Sequence, residues 1–161
     1  MSEPWLSGPI DGVDPLIAPL LYSFEQTRAE LSSHLAGLTA EQIWSKPHGL
    51  TSVGFHVRHI GGAVDRLSTY LRGEQLSPEQ LARLKSESEP GADAPALLAE
   101  LHADLARCEA YARGIDPASL RDVRGVGRKM LPTTVHGLIV HIAEHTQRHL
   151  GQAITTAKLL R

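Results

Sequence analysis

Apolar positions recur with helical spacing in four long segments of the chain, and proline, glycine and capping residues separate them. The first segment runs from about Pro15 to Leu38, with Leu16, Leu20, Ser23 or Phe24, Thr27, Leu31 and His34 or Leu35 on one stripe. The second opens at Thr51 or Ser52 as a cap, reaches Arg72 and meets Gly73 as its stop. A third spans about Ala96 to Arg113 and ends near Gly114, and the last starts around Pro132–Thr134 and runs towards Arg161. Two short helices are expected in the connections. One follows Thr39, where Gln42 completes a capping box and Pro47 and Gly49 end the turn; the other covers Pro78 to Lys85. The polar stretch after Lys85 reads as loop, and "IDPASLRDVRGVGRKM" (115–130) reads as loop with one helical turn after Asp116. No stretch alternates as a strand would, and no repeat is visible. The pattern predicts an all-α fold, a four-helix bundle with short extra helices in its long connections, as a single domain over residues 1–161. Connections this long leave the order and direction of the helices open.

Helical phase then decides which way the last helix turns its histidines. With Ile142 as the origin, Leu131, Val135, Leu138, Ile139, Ala153, Ala157 and Leu160 fall within about 60° and mark the buried stripe. His149 falls about 20° from that origin and His145 about 60°, whereas His141 stands about 100° away and Glu144 nearly opposite. "HIAEH" (141–145) matches the inverted zincin pattern, but that reading places its base, Glu144, on the polar face and gives His149 no role. "HTQRH" (145–149) instead offers two imidazoles one turn apart on the inward side, able to share one ion. Two buried imidazoles in an apolar stripe need partners, and a divalent metal satisfies both. The second helix supplies two candidates for a third ligand. About Ile60, His56 falls about 40° from the centre of the buried face and His59 about 100°, so periodicity favours His56 while either can reach the pair. Three histidines would leave open positions on the metal, the mark of a working site. His34, His48, His102 and His136 have no such companions, and surface or capping roles are expected for them.

Composition narrows the function classes. The chain has 161 residues, is 42% hydrophobic and 21% charged, and is poor in aromatics at 4%, so aliphatic side chains must fill the core. A net charge of −2 gives no electrostatic footprint for nucleic acid. The most basic stretch, "RDVRGVGRK" (121–129), is short, lacks aromatics for base stacking and reads as a solvated loop. One cysteine, Cys108, excludes an intrachain disulfide and is expected to be a small core residue. The start of the chain lacks the basic and apolar regions of a signal peptide, and no run approaches a membrane span, so a cytoplasmic location is expected.

At this point two stretches, "TSVGFHVRHIGGAVDRLSTYLRGEQLSPEQ" (51–80) and "TTVHGLIVHIAEHTQRHLGQAITT" (133–156), resemble the DinB/YfiT-like superfamily of metalloenzymes. That family carries a histidine before an aliphatic residue on its second helix and a late H-x-x-x-H ending near Gly-Gln. Here the matching positions are His59 before Ile60, then His145 and His149 before "LGQ". The resemblance implies an antiparallel four-helix bundle of up-down-down-up type and a divalent metal, zinc or nickel, held by His59, His145 and His149. It selects His59 where the helical phase favoured His56, leaving His56 as a supporting residue or alternative ligand. It also implies a homodimer and a small-molecule substrate, with a low-molecular-weight thiol such as mycothiol or bacillithiol as cosubstrate of an S-transferase. Hydrolysis by a bound water is the other enzymatic outcome. A non-catalytic metal- or small-ligand-binding bundle in stress response is the alternative outside enzymes. Arg58, Asp65, Arg66 and Arg148 are candidates to steer an anionic substrate, and Gln152, one turn after His149, to orient a ligand.

Overall fold

Side-chain caps mark where three of the four long helices begin. Ser52 accepts from the Phe55 N–H to open α3 (Val53–Leu71), Asp93 from Ala96 to open α5 (Ala94–Arg113), and Thr134 from Gly137 to open α6 (Val135–Lys158). The first, α1 (Ala18–Leu35), has no side-chain cap and starts three residues later than its apolar stripe suggested, after a turn over Asp14–Ile17. In the computed structural model, which describes residues 3–161, the expected short helices are present as α2 (Ala40–Trp44) and α4 (Pro78–Ser86). Both carry the full capping box, Thr39 with Gln42 and Ser77 with Gln80. A single 3₁₀ turn over Pro117–Arg121 follows Asp116, whose side chain accepts from the Ala118 N–H.

Cross-helix hydrogen bonds and ion pairs give the directions. Gln147 on α6 donates to the Ser23 carbonyl and to Thr27 Oγ1, and Arg161 reaches the carbonyl of His34, so α1 and α6 run parallel. Thr156 meets Thr51 while His149 meets His56, so α3 and α6 are antiparallel. Arg58 pairs with Glu100 and Asp65 with Arg107, which makes α3 and α5 parallel. The four long helices are therefore two parallel pairs packed antiparallel, an up-down-down-up bundle. Its core is aliphatic: Leu20, Leu31 and Leu35 of α1, Val57 and Ile60 of α3, Leu101 and Leu105 of α5, Ile139 and Ile142 of α6, with Phe24 as the one large aromatic fully enclosed among the described residues. Burying each such side chain stabilises by about 1.5–3 kcal/mol. Cys108 belongs to this core at 1% exposure, and burial pushes its thiol up to about 11.

The absence of strands is corrected by the structure. Residues 123–134 form a hairpin of β1 (Val123–Val126) and β2 (Leu131–Thr134), paired antiparallel from Val123 opposite Thr134 to Val126 opposite Leu131. Two features hid it: the strands are four residues each, too short for a period-2 signal, and one contains a proline, which only an edge strand tolerates. The hairpin docks by tertiary contact, with Arg124 donating to the Leu71 carbonyl at the end of α3. As a consequence α6 begins at Val135, and Leu131, assigned above to the buried stripe, lies on a strand and is exposed.

Candidate metal centre

Four histidines converge where α3 passes α6. One ring nitrogen from each of His59, His145 and His149 lies within 4.8 Å of the other two. Ring centroids of His59 stand 4.4 Å from His149 and 5.1 Å from His145, and those of His145 and His149 are 4.6 Å apart. Antiparallel packing explains the grouping. Moving one turn back along α6 from His149 to His145 moves forward along α3, so His59 sits between the two. All three are half-buried at the rim of the bundle, which for His149 is less deep than the helical phase suggested; its neighbours Thr146 and Leu150 are among the fully buried positions of α6.

His56 is the deeper residue, as periodicity indicated, at 5% exposure. It stands one layer behind the cluster, with its Nδ1 at 3.1 Å from Nδ1 of His149. The two histidines proposed from α3 thus occupy different places. His59 closes the ring of three, and His56 backs one member of it. His141 lies beyond His145, its ring 5.6 Å away, and its Nδ1 donates to Glu144 on the solvent side, where Arg148 also pairs with that carboxylate. Glu144 is therefore tied into an exposed surface network and does not face the cluster.

The sequence reading missed Glu87. It follows the last residue of α4 in a stretch read as polar loop, yet it is only 3% exposed. The Nδ1 of His59 donates to its Oε2 at 2.7 Å, and Arg66 donates to its Oε1 at 2.6 Å. A ring that donates through Nδ1 keeps its lone pair on Nε2, the nitrogen then free for a metal. The Nδ1 of His149 faces that of His56, and with His149 donating and His56 accepting, Nε2 of His149 is left in the same way. Phe55 stacks on His59 with ring planes 12° apart and fixes the ring from the other side. Three imidazoles whose ligand atoms lie within 4.8 Å of one another, two of them engaged through the far nitrogen, form a donor set that fits a divalent metal. Of the charged residues named as substrate-steering candidates, Arg58 lies over the Trp44 ring, Arg66 is committed to Glu87, and Asp65 accepts from Gln80. Arg148 and Gln152 remain beside a cleft of about 450 Å³, lined also by Thr51, His56, Gly151 and Thr155. His102 and His136, expected in surface or capping roles, are half-buried.

Burial, and then the neighbouring imidazoles, lower the pKa of His56, His145 and His149 to about 4. The neutral form, which is the ligating form, is thus favoured by the fold. The linkage follows from the direction. Unfolded histidine titrates near 6.5, so between about pH 6.5 and 4 the unfolded chain takes up protons that the folded chain does not. The metal-free protein is accordingly expected to keep its full stability above pH 6.5 and to lose it progressively as pH falls towards 4. Discounted for the partial exposure of two of the rings, the loss is on the order of 2 kcal/mol, or roughly 4–8 °C in Tm. Differential scanning calorimetry across this range, with the His145→Ala/His149→Ala double variant alongside, checks it. A variant that loses as much stability over the window as the wild type would contradict the assignment.

Comparison with known proteins agrees with the fold. A family model described as the DinB superfamily matches residues 23–153. Among solved structures, a conserved protein of Enterococcus faecalis superposes with a TM-score of 0.75 at 18% identity, over 92% of this chain and 98% of that one. A DinB-like protein of Bacillus cereus superposes with a TM-score of 0.67 at 15% identity, over 89% of each chain. At these identities the two structures speak for the fold alone. No functionally curated protein matches the chain.

Proposed function

The chain belongs to the DinB superfamily, and on that premise we propose that it is a metal-dependent enzyme acting on a small molecule, with His59, His145 and His149 as ligands of one divalent cation, zinc or nickel. The observation that carries the proposal is the ring of three histidines from two helices, one of them held through its outer nitrogen by a buried carboxylate. A purely structural zinc site closes with four protein ligands; three leave room for an exchangeable group. A cation held by neutral imidazoles acts as a Lewis acid and lowers the pKa of a water or thiol that joins it.

The protein's own residues supply the rest. His56 and Glu87 hold two of the ligands in register from behind. The cleft that His56 lines offers Thr51, Gln152 and Thr155 as hydrogen-bonding groups and Arg148 as a cation, groups that would serve a small polar or anionic substrate. Thiol-dependent S-transfer is the preferred reaction: the thiol sulfur forms a bond to an electrophilic carbon, the leaving group departs with the bonding pair, and the thiol proton passes to solvent. Hydrolysis, with water in place of the thiol, is the second enzymatic outcome. In keeping with the family resemblance, the proposed working form is a cytoplasmic homodimer. Among the described residues no helix is long and apolar enough to cross a membrane.

The test is turnover by metal-reconstituted protein given a low-molecular-weight thiol and an alkyl halide. Thioether formation that requires the metal and disappears in His149→Ala is the expected result. Tight metal binding with neither thioether formation nor ester hydrolysis would replace this reading with that of a non-catalytic metal-binding bundle.

A further inference from the structure

We propose that Glu87 is the positioning residue of the metal centre, and that the Gly61–Gly62 pair of α3 exists to admit it and its structural counterpart. The inference rests on the reading of His59, His145 and His149 as metal ligands. Two consecutive glycines inside a helix cost about 1 kcal/mol each relative to alanine, so their presence in the middle of α3 calls for a close approach. The structure supplies two. A Cβ at Gly62 would fall well inside contact distance of Glu87 Oε1 and 2.8 Å from Arg66 Nη1. A Cβ at Gly61 would stand 2.5 Å from Asp104 Oδ2. Each glycine thus makes room for one buried carboxylate, Glu87 at 3% and Asp104 at 2% exposure.

The two carboxylates differ in what they reach. Asp104 accepts from Arg83 and Arg107, both on the outer side of the helices, and touches no histidine of the cluster. Glu87 joins Arg66 to His59, a histidine-to-carboxylate contact of the kind that fixes ring orientation and tautomer in metal sites. Its delivery is built into α4. Pro78 and the Ser77–Gln80 box start that helix, and Gln80 Nε2 anchors it on α3 by donating to Asp65 Oδ2 and Thr69 Oγ1, each at 2.8 Å. Arg83, one turn on, ties it to Asp104 of α5. Glu87 then arrives one residue past the helix end, between Gly62 and His59. The short helix between the second and third long helices is, on this account, the arm that sets the metal affinity.

Chelator-competition titrations with zinc on the full chain test it, with circular dichroism and Tm of each metal-free variant recorded alongside. Glu87→Gln keeps the shape and removes the charge; it is expected to weaken zinc binding by about 10–100-fold, the usual effect of losing such an outer partner. Gly62→Ala, which displaces the carboxylate, should weaken zinc in the same direction. Gly61→Ala, which displaces Asp104 and with it the Arg83 anchor of α4, should lower Tm and weaken zinc clearly less than Gly62→Ala does, because Glu87 keeps its direct contacts with Arg66 and His59. Glu87→Gln with wild-type affinity, or Gly61→Ala as damaging to zinc binding as Gly62→Ala, would overturn the inference and give Glu87 a merely structural role. Zinc binding unaffected by His149→Ala would instead overturn the ligand assignment beneath it, so the two failures are told apart by that variant.

Discussion

His149→Ala is expected to lose its metal, whereas His56→Ala is expected to keep it. In untagged protein purified without chelator, elemental analysis should find about one divalent metal per wild-type chain and a trace in His149→Ala. The magnitude follows from site energetics: structural zinc sites hold their ion by about 10–16 kcal/mol over four ligands, so one ligand is worth roughly 3 kcal/mol, more than 100-fold in affinity. His56 stands behind His149 at 3.1 Å and is not one of the three clustered rings, so its removal should cost about tenfold through lost orientation. The reverse outcome, metal kept without His149 and lost without His56, would move the site one layer inward and refute the ligand set. His145→Ala should behave as His149→Ala does, since the two are equivalent by one helical turn.

Arg66→Ala is expected to be the most destabilising change outside the hydrocarbon core. Arg66 is 8% exposed and donates to a carboxylate that is 3% exposed, so truncating it leaves a buried charge with only the His59 N–H as its partner. Removing one partner of a buried ion pair costs about 3–5 kcal/mol, which for a chain of this length is roughly 6–20 °C in Tm. Arg107→Ala provides the contrast. Its guanidinium is 61% exposed while pairing with Asp104, and Arg83 remains to hold that carboxylate, so the loss should stay below about 1 kcal/mol. Urea denaturation of both variants in the metal-free state decides it. Equal losses in the two would mean that Glu87 is better solvated than its burial implies and would weaken its assignment to the centre.

What the sequence disclosed follows from which interactions are local. Caps at Thr39 and Ser52 are legible because donor and acceptor lie within three residues, and those helix starts agree with the structure. The apolar stripes of α1, α3, α5 and α6 are legible because burial against one side imposes the 3.6-residue period. The grouping of His145 and His149 belongs to the same class, being one turn of one helix. His59 was different: helical phase alone favoured His56, and it was the family pattern that pointed to the rim residue. The structure gives the reason, since the cluster forms at the edge of the helix contact and the stripe's centre is occupied by His56 and Ile60. Glu87 was illegible because its burial depends on partners 21 and 28 residues away, Arg66 and His59. The one local trace of it was Gly61–Gly62 inside a helix, a pair that marks close approach without naming what approaches. The hairpin over 123–134 was missed for a related reason: its strands are held by docking on α3 and carry too few residues to show a period.

Anomalous diffraction from crystals of the zinc-loaded protein, collected on both sides of the zinc absorption edge, tests the central claim most directly. The account predicts one peak per chain bonded to Nε2 of His59 and His149 and to a ring nitrogen of His145, with Glu87 still on Nδ1 of His59. A peak coordinated by His56 in place of His59, or no peak between α3 and α6, would contradict it.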